Sequence, residues 1–194
     1  MTLTGQGQVT AVPNIALIRL GVQTTGENLA DTQSGNAQIS QSIIQALQRM
    51  GISDIKTSQY SIDKVYDYED GRQIDRGYSV RNILEIKTPN LDRAGNIIDA
   101  AVNSGANVVD LISFDVANRE YYYQQALNMA VMNAMQKAKS ISMNMGIPTD
   151  PVPIHIIENS TSYVQPYFRQ ELAATPIMPG NIQIEASVTV DFAF

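Results

Sequence analysis

Cysteine is absent from the 194-residue chain, and so is tryptophan. Without a thiol there is no disulfide, no thiolate metal site and no cysteine nucleophile. Histidine occurs once, at His155, so a paired-histidine zinc motif has nothing to be built from. Positive charge is scarce: 13 Lys and Arg against 19 Asp and Glu leave a net charge of −6. Such a surface has too few cations to neutralise a nucleic-acid backbone, and an anionic lipid surface would not attract it. No apolar run reaches the roughly 18 residues of a membrane-spanning helix. No secretory leader is recognisable either. The chain opens on Met1-Thr2-Leu3 and enters a strand pattern at once, as an exported chain trimmed of its leader would, and as an ordinary cytoplasmic start would.

What is present is a sequence that can build a core. Apolar residues make up 44% of it and charged residues only 16%, below the usual ~25%. Neutral amides, 16 Gln and 14 Asn, stand in for many surface charges. The phosphate-binding and nucleophile-elbow motifs are missing, and "GQGQVT" lacks the third glycine and following helix of a dinucleotide fingerprint.

The hydrophobic pattern divides the chain into ten elements. Residues 2–12 alternate, with Leu3, Gly5, Gly7, Val9 and Ala11 on one face; the two glycines predict a close backbone approach or a bulge. Ala16, Ile18, Leu20 and Val22 mark a second strand. Residues 27–50 read as a helix with Leu29, Ile39, Ile43, Leu47 and Met50 inward, stopped by Gly51 and weakened by Gly35. Two long strands follow, one with Tyr60, Ile62, Tyr66 and Tyr68 on a face, the other with Tyr78, Val80, Leu84 and Ile86. A helix over 91–103 turns Ala94, Ile97, Ile98, Ala101 and Val102 inward, and a strand carries Val108, Ile112, Phe114 and Val116. The long helix 119–145 is predicted to bury Leu127, Ala130, Ala134, Ala138, Ile141 and Met145. A strand over 151–159, a polar stretch over 159–180 and a cleanly alternating last strand from Ile182 to Phe192 complete the chain.

The order β-β-α-β-β-α-β-α-β-β predicts an α+β fold. Strands two to five form a ferredoxin-like β-α-β-β-α-β core. Strand one, the long C-terminal helix and the two C-terminal strands form a second α/β layer. The corresponding boundaries are 14–118 for the first subdomain and 1–13 plus 119–194 for a discontinuous second.

Candidate chemistry is sparse. Asp67, Glu69, Asp70 and Gly71 could be a cation loop, a carboxylate cluster or a hairpin tip. With Gly71 at the sixth position of an EF-hand loop, positions one and three fall on Tyr66 and Tyr68, so that register fails. Asp and Gly are ordinary turn residues, which favours the hairpin. His155 alternates with Ile154 and Ile156 and points away from their face, as a partly exposed structural histidine does. The tyrosines cluster: Tyr60, Tyr66, Tyr68 and Tyr78 on the long hairpin, Tyr121, Tyr122 and Tyr123 at the start of the long helix, and Tyr163 and Tyr167 in the late polar stretch. Tyr is favoured at interfaces, so the first seven are candidate interface residues; cross-strand pairing within the hairpin is the alternative. Met129, Met132, Met135, Met143 and Met145 read as packing. Asn159-Ser160-Thr161 fits a glycosylation sequon, a match common by chance.

Several segments carry a resemblance in the same order over about 150 residues. "GQGQVTAVPNIALIRLGVQT", "ALQRMGISDIKTSQYSI", "RGYSVRNILEI", "GNIIDAAVNSGANVVDLISFDV" and "ALNMAVMNAMQKAKSIS" resemble successive blocks of the SIMPL-domain family, domain of unknown function 541. That family includes periplasmic immunogenic and oxidative-stress-defence-like proteins. Asn14 and Asn133 stand where the family often has Asp. The resemblance implies one SIMPL-like domain over 1–194, of bacterial type, exported to the periplasm or cell exterior and self-associating. It supplies no catalytic residue, cofactor or metal ligand. The expectation is therefore a non-enzymatic, homo-oligomeric cell-envelope assembly or binding module, with an envelope protein or an unidentified small ligand as further partner. Its rivals are a small metal- or carboxylate-dependent hydrolase using Asp67, Glu69, Asp70 or His155, and a peptide or small-ligand binder at a sheet edge.

Overall fold

The computed structural model describes residues 1–69, 71–159 and 180–194. Along them run β1 (Thr2–Ala11), β2 (Ile15–Gly26), α1 (Leu29–Arg49), β3 (Ile55–Glu69), β4 (Arg72–Thr88), a 3-10 turn (Leu91–Arg93), α2 (Ala94–Asn103), β5 (Val108–Asp115), α3 (Arg119–Asn144), β6 (Val152–Asn159) and β7 (Ile182–Ala193). The architecture is α+β, with two separate antiparallel sheets ordered β1-β7-β6 and β3-β4-β2-β5. Two compact units contain them. One holds Asn14–Asp115; the other combines Met1–Pro13, the chain from Val116 through β6, and Gly180–Phe194.

In the four-stranded unit, Ala16, Ile18, Leu20 and Val22 of β2 form the centre of the core with Leu84 and Ile86 of β4, Phe114 of β5, Ile43 and Leu47 of α1, and Ile97 and Ala101 of α2. Removing these large aliphatic side chains from water stabilises the fold by about 1.5–3 kcal/mol each. The helix faces differ from the sequence pattern in an informative way. Helix α1 buries Thr32, Asn36 and Ser40 ahead of Ile43 and Leu47, whereas Leu29, Ile39 and Met50 are half-buried. The polar half of this stripe is internally bonded. Asn36 Nδ2 donates to the Val80 and Val22 carbonyls at 2.8 and 3.2 Å and to Thr24 Oγ1 at 3.2 Å. Asn82 Nδ2 donates to Ser40 Oγ at 3.0 Å. Burial without such partners would be costly. Helix α2 turns Ala94, Ile97 and Ala101 inward but exposes Val102.

Strand β4 is buried on both faces: Val80, Leu84 and Ile86 on the helix side, and Ser79, Ile83 and Glu85 on the other. The Glu85 carboxylate sits between two cations, accepting from Arg19 Nε at 2.8 Å and pairing with Lys56 Nζ at 2.8 Å. The Lys56 hydrogen bond, followed by the one from Arg19, holds its carboxyl below the usual glutamate range.

In the three-stranded unit, α3 packs on β1 and β7. Its buried stripe is Ala126, Ala130, Ala134, Ala138 and Ser142, one position in every four along the helix. Small residues are required there because β1 presents Gly5 and Gly7. A Cβ at either glycine would overlap the carbonyl oxygen of Ala130 or Ala126. The predicted close approach is therefore that of the α3 backbone. Leu127 and Ile141 are half-buried, and Met145 is exposed rather than inward.

Candidate interaction surfaces

Pairing of β2 with β4 ends at Gly26 opposite Tyr78. Beyond that point β3 and β4 continue as a two-stranded ribbon over residues 65–69 and 72–77. Lys64 opposes Tyr78 and Tyr66 opposes Asp75, so Arg76 and Gly77 together face Val65. Gly77, with φ of 89°, provides the backbone such a bulge needs. Glu69 pairs with Arg72, and Gly71 has φ of 75° at the closing turn. Asp67 and the backbone of Glu69 thus belong to the last residues of β3, ahead of the turn at Gly71. The Glu69 side chain and Asp70 lie outside what is described.

A ribbon of two strands is marginal in water on its own, and this one is tied by side chains. Lys64 pairs with Asp75, and Asp75 also accepts the Gly77 N–H at 2.8 Å. These two bonds, the lysine first, hold the Asp75 carboxyl below its ordinary range, and Asp75 in turn raises Lys64. The Lys64 ammonium also lies 5.6 and 5.5 Å from the ring centres of Tyr66 and Tyr78. Asp67 pairs with Arg76 at 3.4 Å.

The structure brings Tyr66 and Tyr78 together around Lys64. Tyr60, Tyr66 and Tyr68 are exposed with Ile62, Tyr68 by 72%. Tyr121, Tyr122 and Tyr123 belong to the other unit and behave differently. Tyr121 is exposed and meets Tyr122 edge-on at 5.3 Å. Tyr122 and Tyr123 pack against a small core of Ala11, Val116, Ile182 and Ile184, and the Tyr123 hydroxyl donates to Glu158. Tyr163, Tyr167 and the sequon residues Ser160 and Thr161 lie outside the described residues.

His155 sits on β6 with its side chain largely exposed, Nδ1 3.3 Å from Asp191 Oδ2. Thr2 donates to the other oxygen of that carboxylate at 2.6 Å. These bonds, that of Thr2 first, hold Asp191 below the usual aspartate range. Thr2 therefore bonds the acid and not the imidazole, which is not the order of a nucleophile–base–acid relay. Among the described residues no three His, Asp or Glu side chains converge on a point. No helix among them is long and apolar enough to cross a membrane.

The two edges of the three-stranded sheet contrast. At β1, Asn133 Oδ1 accepts the Gln6 N–H at 3.2 Å and Lys137 Nζ donates to the Thr4 carbonyl at 2.8 Å. Helix α3 thereby occupies backbone groups on that edge. The role of Asn133 needs an acceptor oxygen, which Asp supplies equally. At the opposite edge, β6 exposes Val152, Ile154, Ile156 and Ile157 by 49–67%. Sequence reasoning placed a strand here but missed its exposure, because an apolar run with flanking prolines carries no record of which strand lies at an edge.

Over residues 1–192 the chain matches the family pattern described as SIMPL, protein of unknown function (DUF541). The chain belongs to the SIMPL family. Among SIMPL relatives, the "26 kDa periplasmic immunogenic protein" of Brucella melitensis is 26% identical over 99% of this chain and 83% of its own length. The "uncharacterized protein YggE" of Escherichia coli is 26% identical over 84% of this chain and 66% of its own; the chain thus spans just under two thirds of that relative. Among solved structures, an amidase of the hydantoinase/carbamoylase family from Burkholderia phymatum overlaps 64% of the chain and 33% of its own, at 14% identity and a TM-score of 0.28, too low to bear on fold or activity.

Proposed function

We propose that this SIMPL protein is a non-enzymatic, self-associating module of the bacterial cell envelope, built on a ferredoxin-like four-stranded core. The observation that carries the reading is strand β3, which leaves Tyr60 and Ile62 exposed at the edge of the four-stranded sheet and Tyr66 and Tyr68 exposed on the two-stranded ribbon beyond it. Tyrosine offers apolar area with a polar tip at low entropic cost, the composition of protein interfaces. The relative named as periplasmic supports an extracytoplasmic location. The ion pair of Asp67 with Arg76 and the hydrogen-bond contact of His155 with Asp191 support structural rather than catalytic roles for these groups.

Sedimentation equilibrium at micromolar concentration tests the reading, with an oligomer expected. Replacing Tyr66 and Tyr68 by Ser should lower the association constant at least tenfold while leaving the circular dichroism unchanged. An unchanged constant would remove the ribbon from the interface. Metal bound to protein purified without chelator, with a hydrolytic activity lost on replacing Asp67 or His155 by Ala, would favour the hydrolase instead.

A further inference from the structure

We infer that Lys64 is the positioning residue of the ribbon: held by Asp75 and seated between the rings of Tyr66 and Tyr78, it locks the joint at which the ribbon leaves the four-stranded sheet, so that Tyr66 and Tyr68 are presented in one direction before any partner arrives. The consequence for association rests on the self-association reading; the locked joint itself does not. Beyond Gly26 the two strands have no third strand beside them from β2, and such a ribbon needs ties of its own. Its joint is the weakest place. Pairing of β2 stops at Gly26 opposite Tyr78, and directly beyond it the β3–β4 register shifts between Lys64 and Tyr66. A bulge bends the strand that carries it and interrupts the ladder. Backbone pairing alone therefore leaves the direction of the ribbon poorly set.

Three features converge on this joint. Gly77 is buried, and a Cβ on it would overlap the Gly26 carbonyl oxygen and lie 2.7 Å from Glu27 Cα. The ribbon thus starts in backbone contact with the connection between β2 and α1, a seat that glycine allows. Asp75 uses both of its oxygens there: Oδ1 accepts the Gly77 N–H at 2.8 Å, and Oδ2 takes the Lys64 ammonium. One carboxylate therefore ties the bulged backbone of β4 to a side chain of β3. The Lys64 ammonium lies 5.6 and 5.5 Å from the ring centres of Tyr66 and Tyr78, within the ~6 Å of a cation–π contact. Tyr78 stands on the sheet side of the bulge and Tyr66 on the ribbon side, so a single ammonium spans the joint. The lowered Asp75 and raised Lys64, each with the other as first cause, agree with that geometry. An arm fixed before contact gives up less conformational entropy on association than a swinging one.

Variants of the full chain at Lys64 and Asp75 test this with two readouts. The first is amide hydrogen exchange over 66–69 and 72–76 in protein diluted to monomer. Lys64→Met keeps the stem and removes the charge; exchange there should rise roughly three- to tenfold, the scale of an exposed ion pair with an exposed cation–π contact. The amides of Leu20 and Leu84 and the thermal midpoint should not move. Lys64→Arg should restore protection. Asp75→Asn keeps an acceptor for the Gly77 N–H, and adding it to Lys64→Met should cost no further protection, because both remove one ion pair. The second readout is the association constant from sedimentation, which Lys64→Met should lower by a similar factor although no tyrosine is removed. Unchanged exchange in Lys64→Met would overturn the inference and leave self-association standing. Raised exchange with an unchanged association constant would uphold the locked joint and remove the ribbon from the interface.

Discussion

Gly7 on β1 lies so close to Ala126 on α3 that a methyl group at Gly7 would overlap the Ala126 carbonyl oxygen. The neighbour is backbone, which cannot swing aside, so relief requires lifting the helix from the sheet. Gly7→Ala should therefore destabilise the three-stranded unit by about 3 kcal/mol, the upper end of overpacking penalties. Urea unfolding should show the midpoint falling without a change in the fluorescence of the folded baseline.

Gly35 is the opposite case. It lies in the middle of α1, and nothing stands within 4 Å of where its Cβ would be. Gly35→Ala removes unfolded-chain entropy at no steric cost and should stabilise by about 0.5–1 kcal/mol. A thermal midpoint that fails to rise would show that this helix face is covered.

Asn36 is 1% exposed and donates to two strand carbonyls and a hydroxyl. Asn36→Ala leaves those acceptors without the amide in a dry site and should cost about 2 kcal/mol. The loss should exceed that of Ser42→Ala on the exposed face of the same helix, measured by the same denaturant titration.

Glu85 gives the fold an acid-sensitive element. Its folded-state pKa is depressed by Lys56 and Arg19, so its contribution is fully present above the ordinary value of 4.5 and is lost as pH falls through the folded value. Because both cations are substantially exposed, screening limits the contribution to about 1 kcal/mol. Glu85→Gln should be less stable than wild type by that amount from pH 5 to 7, and the gap should close as pH falls below 4.5 through the depressed folded value. A gap independent of pH would mean that packing, not charge, makes the difference.

Much of the architecture was legible because it is written in short-range pattern. The alternation from Ile182 to Phe192 returns as the β7 face of Ile182, Ile184, Ala186, Val188, Val190 and Phe192, all buried. Gly71 closes the hairpin at positive φ because L side chains avoid that region. Helix interiors were less legible. Thr32, Asn36 and Ser40 have the spacing of a buried stripe but the chemistry of a wet one; Asn36 and Ser40 are buried because strand carbonyls and Asn82 stand opposite them, and the Thr32 hydroxyl donates to the Asn28 carbonyl of its own helix start. That complementarity is invisible in either segment alone.

The sequence by itself determined the order of strands and helices, the glycine approach on β1, the turn at Gly71 and the SIMPL resemblance. Each follows from spacing within one segment or from the steric demands of one residue type. Only the tertiary structure decided which surfaces remain uncovered. Sheet order puts β6 at an edge, α3 lies over β1 and β7, and β2 stops pairing at Gly26 while the hairpin runs on. The physical reason is that periodicity encodes which face of an element is apolar, whereas burial requires a second element to arrive on that face. For Ile154, Ile156, Tyr66 and Tyr68 no other described element does, and that is what makes them candidates for contact with another molecule.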